Sequence, residues 1–226
     1  MIAPFDVILS DPPWNYDDKG QSGSGQNSGA EVYYDTMSVA DICALDVESI
    51  AAPDSLCFLW VTGPQMAEGF KVLTAWGFTF KTVAFTWIKT GSTERSEKAL
   101  KDALVLRRVG ATAINGILAE TAPLLMPAFP IGQGSYTRAN PEYVLLGKRG
   151  RGVKRVDAGV RSEVLAPRSW HSRKPDEVQH RIDRLVGPDV RKLEMFARRV
   201  FPAPNWSAWG NEVTTDVRIG VKVVAA

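Results

Sequence analysis

Cysteine and histidine are nearly missing from this chain of 226 residues, which holds only Cys43, Cys57, His171 and His180. Two unrelated cysteines provide neither a disulfide framework nor metal-ligand spacing, and two histidines leave a zinc site without ligands. No metal is expected, and both histidines read as surface or capping residues. No apolar run approaches the ~18 residues of a membrane span, and the N-terminus lacks a signal-peptide pattern. Internal repeats and low-complexity tracts are absent. A formal net charge of +2 is too small to argue for a polyanionic partner by itself. What remains is a soluble, cytoplasmic protein with no membrane partner, long enough to bury a substantial core as one domain over 1–226.

Buried strands alternate with amphipathic helices along the chain. Residues 5–10, 55–62 and 78–89 read as strands, with β-branched and aromatic enrichment. Ser38 is placed to cap a helix through about Ile50. Met66, Phe70, Leu73 and Trp76 recur at helical spacing before Gly77, and Phe70, Trp76 and Phe78 are assigned to the core. Residues 142–149, 192–197 and 206–213 return to strand, and a helix starts at Pro175 and runs to about Leu185. The Gly/Ser-rich stretch 15–30 is a loop, and a helical insertion occupies about 91–134. The fold class is α/β: a mainly parallel sheet with helices on both faces. From Lys148 to Lys174 nine Lys or Arg oppose only Asp157 and Glu163. Such a stripe either follows a phosphate backbone or is an ordinary solvated loop.

The tetrapeptide Asp11-Pro12-Pro13-Trp14 ends the first strand, where α/β sheets bind ligands. Its two prolines fix successive φ angles, so the carbonyls of Asp11 and Pro12 are expected to stay free of internal donors. Trp14 is expected at the surface. A carboxylate, an oriented carbonyl and an aromatic face suit a planar ring bearing an exocyclic amine. Such an amine is a weak nucleophile, because its lone pair is delocalised. Accepting both of its N–H groups stabilises the positive charge that develops on attack, and a sulfonium methyl suits as electrophile. The base would have to leave its helix to reach the pocket.

Seven ordered blocks, among them "DPPW", "YYDTMSVADI", "TWIKT", "NPEYVLLGKRG" and "SRKPDEVQHRIDRL", together resemble the MT-A70 family of S-adenosylmethionine-dependent adenine methyltransferases. The likeness spans nearly everything except about 91–134. It implies a permuted Rossmann-like methyltransferase fold, with the catalytic block before the cofactor block. It also implies that Asp11, Pro12, Pro13 and Trp14 are catalytic, the first two holding the amine and Trp14 flanking the base. Tyr34, Glu142 and Lys174 would border the substrate. Asp11, Lys174, Phe196, Arg198, Asn211 and Glu212 would meet the cofactor, S-adenosylmethionine.

Plainer readings stand beside these. Tyr34 can simply pin its loop, Glu142 can be a strand-entry charge, and Lys174 can flank a helix start. Arg198 and Glu212 can pair at the surface. This chain also has Arg199-Val200-Phe201 where the family's eukaryotic enzyme carries a His-Asn pair. The partner implied is nucleic acid, DNA before RNA, and a homodimer is allowed. A glutamine methyltransferase and a non-catalytic binding subunit are the other classes.

Overall fold

The computed structural model describes residues 3–15, 36–91, 136–169, 173–215 and 217–222. The insertion at about 91–134, apart from Gly91, lies outside them, as does Tyr34. Among the described residues seven strands form one sheet: β1 (Phe5–Ser10), β2 (Ala51–Val61), β3 (Thr79–Thr90), β4 (Glu142–Arg149), β5 (Glu163–Pro167), β6 (Lys192–Met195) and β7 (Trp206–Trp209). Three helices among the described residues accompany them, α1 (Val39–Ala44), α2 (Met66–Ala75) and α3 (Glu177–Val186). Among the described residues no helix is long and apolar enough to cross a membrane.

The strand order is β5-β3-β4-β2-β1-β6-β7. Strand β4 runs against both β2 and β3, while every other pairing is parallel. The sheet is therefore mixed and mostly parallel, as a Rossmann-like methyltransferase requires. One face packs Ile8, Cys57, Leu59, Leu73, Trp76 and Leu193 together beneath α1 and α2. The other packs Val7, Phe58, Trp60, Phe85 and Val144 against Val178, Ile182 and Val186 of α3. Alternation along each strand sorts the residues to these two faces.

Several local expectations are corrected. Ser38 does cap α1, accepting the Asp41 N–H at 3.1 Å, but the helix stops at Ala44 rather than near Ile50. There the C-terminal segment intervenes: Lys222 N–H donates to Ala44 O and Leu45 bridges Val221, which draws Leu45 into an extended conformation. A separate 3-10 turn covers Val47–Ser49. Strand β2 starts at Ala51, four residues early, with its irregularity around Pro53 where the β1 register shifts. Phe70 is 38 % exposed and stacks edge-on against the exposed Phe80. The residue that α2 buries at that level is Gly69, where a Cβ would come within 2.6 Å of Val61 Cγ1.

The basic stripe is divided by the sheet. Strand β4 carries Lys148 and Arg149 to its far end, and only β5 brings the chain back toward the end where Asp11 lies. Of the nine cations, Arg168, Arg173 and Lys174 follow that return. Arg149 and Arg151 pair with Glu48 and Asp54 at the opposite end, so the stripe is not one continuous track.

Candidate active site

Strand β1 delivers Asp11 to the carboxyl end of the sheet, beside the end of β2 and the beginning of the reversed β4. Because β4 runs backward, Glu142, its first residue, shares that end and faces α3. Lys89, two residues beyond Trp87 on β3, comes to the same face by alternation. The turn before α3 brings in Lys174. The result is a row of alternating charges: Lys89 Nζ lies 2.7 Å from Glu142 Oε1, Lys174 Nζ is 3.1 Å from Glu142 Oε2, and Lys174 Nζ is 3.0 Å from Asp11 Oδ2. The Lys174 ammonium also sits 5.5 Å from the centre of the Trp60 ring.

Burial pushes the Asp11 carboxyl above its ordinary value and the Glu142 charge adds to this, while Lys174 opposes both. Burial acts the same way on Glu142, but its two lysines together outweigh it and hold its carboxyl low. Lys174 keeps its proton firmly, since the two carboxylates overcome the cost of its own burial. Asp11 Oδ1 has no hydrogen-bond partner among the described residues, and its side chain is 37 % exposed.

The tetrapeptide departs from expectation in two respects. The Pro12 carbonyl is not free: it accepts the Trp14 N–H at 2.8 Å, closing a tight three-residue turn, and one lone pair remains. Trp14 is not at the surface. It is 4 % exposed, packs in the core beneath α1, and donates its indole N–H to Trp60 O at 3.2 Å. The prolines turn the chain so sharply that the indole folds back over the sheet instead of projecting past it. Met37, from the "YYDTMS" block, is stapled to this turn, donating to Pro13 O at 2.8 Å and accepting from Asn15 N at 3.2 Å.

A second group stands at the ends of β6 and β7, next to β1. Phe196 follows β6 with φ 59°, a left-handed conformation rare for a bulky residue, and meets Trp209 edge-on at 5.3 Å. Ala197 N–H donates to Trp209 O at 2.9 Å, and Gly210 fits only because it lacks a side chain; its Cβ would lie 2.3 Å from Ala197 O. Arg198 Nε pairs with Glu212 Oε1 at 2.7 Å, both side chains about half exposed, and Asn211 is exposed beside them. Lys174 thus joins Asp11 to Glu142, while Phe196, Arg198, Asn211 and Glu212 gather on the neighbouring strand ends.

Lys89 and Glu194 went unnoticed as site residues in the sequence. Glu194 on β6 accepts from Gln179 Nε2 of α3 at 2.7 Å, and burial raises its carboxyl to about 7. Lys89 stands in the "TWIKT" block, and only its ion pair with Glu142 reveals it. Two buried hydroxyls, Ser10 Oγ and Thr62 Oγ1, close to the carboxyl ends of β1 and β2, have no hydrogen-bond partner among the described residues.

The sequence profile of the MT-A70 family matches residues 5–121 and 117–212. The type II methyltransferase M.MunI of Mycoplasma sp is 31% identical over 223 residues, covering 92% of this chain and 78% of that protein. An N(6)-adenosine-methyltransferase MT-A70-like protein of Drosophila melanogaster is 28% identical over 94% of this chain. The human N(6)-adenosine-methyltransferase catalytic subunit METTL3 is 26% identical over the same share. The chain spans only 28% and 29% of the length of those two relatives.

Proposed function

The chain belongs to the MT-A70 family, and from that membership we propose that it transfers a methyl group from S-adenosylmethionine to the exocyclic amine of adenine in nucleic acid. The observation that carries this reading is Asp11, an oriented carboxylate whose Oδ2 is occupied by Lys174 and whose Oδ1 is without a partner among the described residues. Asp11 Oδ1 and the remaining lone pair of Pro12 O accept the two N–H groups of the amine. Both are negative or dipolar acceptors, so they favour the positive charge that grows on the nitrogen as it attacks. The methylated amine then carries one proton too many. Asp11 Oδ1, already bonded to one N–H and raised in proton affinity by burial, is the acceptor within reach.

The cofactor is part of the proposal. When bound, S-adenosylmethionine supplies an electrophilic methyl group on a sulfonium. The strand ends suit it in kind: Glu212 and Asn211 offer acceptors for ribose hydroxyls, and Gly210 leaves a gap that a side chain would fill. The hydroxyls of Ser10 and Thr62, unpartnered among the described residues, also suit a polar group, since a buried hydroxyl left unpaired costs roughly 1–3 kcal/mol. Arg198 would be released from Glu212 when either meets the cofactor.

DNA is favoured as the polymer by the 31% relationship to a type II methyltransferase over most of both chains. The METTL3-like relatives support RNA as the second reading. Incubation with labelled S-adenosylmethionine and separate DNA and RNA pools, followed by nucleoside analysis, tests both. Label in N(6)-methyladenine from DNA is expected. Label from RNA alone would reverse the polymer, and none from either, with cofactor binding demonstrated, would remove the proposed activity.

A further inference from the structure

Lys89 touches neither the open oxygen of Asp11 nor the second group of site residues, yet it is held with unusual care. The Asn140 side chain grips its backbone at two points: Asn140 Oδ1 accepts Lys89 N–H at 2.9 Å and Asn140 Nδ2 donates to Lys89 O at 2.9 Å. This clasp continues the β3–β4 ladder just past its last pair, Trp87↔Glu142. The Lys89 ammonium lies 5.4 Å from the centre of the Trp87 ring, which is itself fixed by its indole N–H to Ala166 O at 2.9 Å. The side chains of Lys89 and Glu142 are only 20% and 14% exposed. Buried ion pairs are weak contributors to stability, so an arrangement this deliberate calls for another reason.

We propose that Lys89, clasped by Asn140, is a positioning residue for methyl transfer: it occupies one oxygen of Glu142 so that the other holds Lys174 against Asp11. Without Lys89 both Glu142 oxygens are left to compete for the single ammonium of Lys174, which is drawn from Asp11 Oδ2. The carboxylate that receives the amine then loses the contact that orients it. Lys89 acts only through Glu142 and Lys174. The inference rests on the methyltransferase reading for its consequence, but the charge row can be examined without it.

The test is a double-mutant cycle of Lys89→Met and Glu142→Gln in the full chain, with Lys89→Arg as the charge-retaining control. The first readout is the Lys174 ammonium signal in 1H–15N spectra, assigned by its loss in Lys174→Arg. The second is methyl transfer to a random-sequence duplex DNA library. Lys89→Met is expected to move the ammonium signal as Glu142→Gln does, and Lys89→Arg to restore it. Lys89→Met is expected to lower kcat about tenfold or more while changing the apparent KM for DNA little, and to cost nothing further in the Glu142→Gln background. Should Lys89→Met not fold, Asn140→Ala keeps the charge, loses the clasp and is expected to displace the same signal. An unmoved Lys174 signal, or losses that multiply across the cycle, would overturn the proposal. A wild-type protein that methylates neither this library nor RNA but shows the expected signal changes would sink the enzymatic reading and leave the charge row as described.

Discussion

Lys174 and Asp11 form a contact of 3.0 Å in which the lysine is shared, its ammonium lying 3.1 Å from Glu142 as well. Lys174 is the cation that offsets what burial and Glu142 do to the Asp11 carboxyl. Removing it in Lys174→Met raises the Asp11 carboxyl further. Because the amine needs an ionised acceptor, the acid limb of kcat/KM moves to higher pH, and turnover at pH 7 falls roughly 10²–10³-fold. A pH–rate profile measures both. Asp11→Ala, which removes the acceptor, abolishes turnover and leaves far-ultraviolet dichroism unchanged.

Trp14 is a core residue next to the proposed site. Trp14→Ala empties a site that is 4 % exposed and lowers stability by about 3–5 kcal/mol in urea unfolding. Trp14→Phe keeps most of the volume but takes the indole N–H from Trp60 O, costing about 1–3 kcal/mol. A residue serving only as a stacking platform for a base would show neither loss.

Gly210 closes the end of β7 on Ala197. An added methyl would meet the Ala197 carbonyl oxygen at 2.3 Å and its nitrogen at 2.8 Å, both backbone atoms that cannot rotate away. Gly210→Ala therefore parts the 196–198 and 209–212 turns. Binding of S-adenosylmethionine, followed by calorimetry, weakens about tenfold or more, while the Lys174 ammonium signal stays in place.

Glu194 makes stability depend on pH in a known direction. Its carboxyl rises from 4.5 unfolded to about 7 folded, so the native state binds the extra proton. Its contribution is fully present below 4.5 and is lost as pH rises through about 7. Glu194→Gln, which cannot ionise, is expected to match the wild type at pH 4 and to exceed it at pH 8 by roughly 5 °C in Tm. Thermal melts at the two pH values decide it.

The parts of the site that could be read in the sequence were those with a local pattern. Asp11 announced itself by two prolines at a strand end, and Glu142 and Lys174 stood in ordered blocks. Lys89 and Glu194 did not, because a single charge in a strand looks the same whether it faces water or a carboxylate on the next strand. Trp14 was misplaced for a related reason: prolines specify how the backbone turns but not where the following side chain comes to rest. The basic stripe stays open between two readings in the sequence because counting charges in a line cannot reveal that β4 and β5 carry them to opposite ends. The buried apolar run at 5–10, by contrast, is plain in the sequence, and the class of fold follows from such strands alternating with amphipathic helices.

The strand order has a consequence in time. Strand β1 leaves the ribosome before the other six strands described, yet one of its two neighbours, β6, lies some 185 residues later, where Arg191 N–H meets the Asp6 carboxylate. A nascent chain that has produced Asp11, Lys89, Glu142 and Lys174 still lacks Glu194, Gly210 and Glu212, and one side of β1 is unpaired. Pairings this distant are slow to form. Each new molecule is therefore assembled with its proposed amine-holding half ready before its proposed donor-holding half, and becomes competent to modify anything only when its last strands have docked.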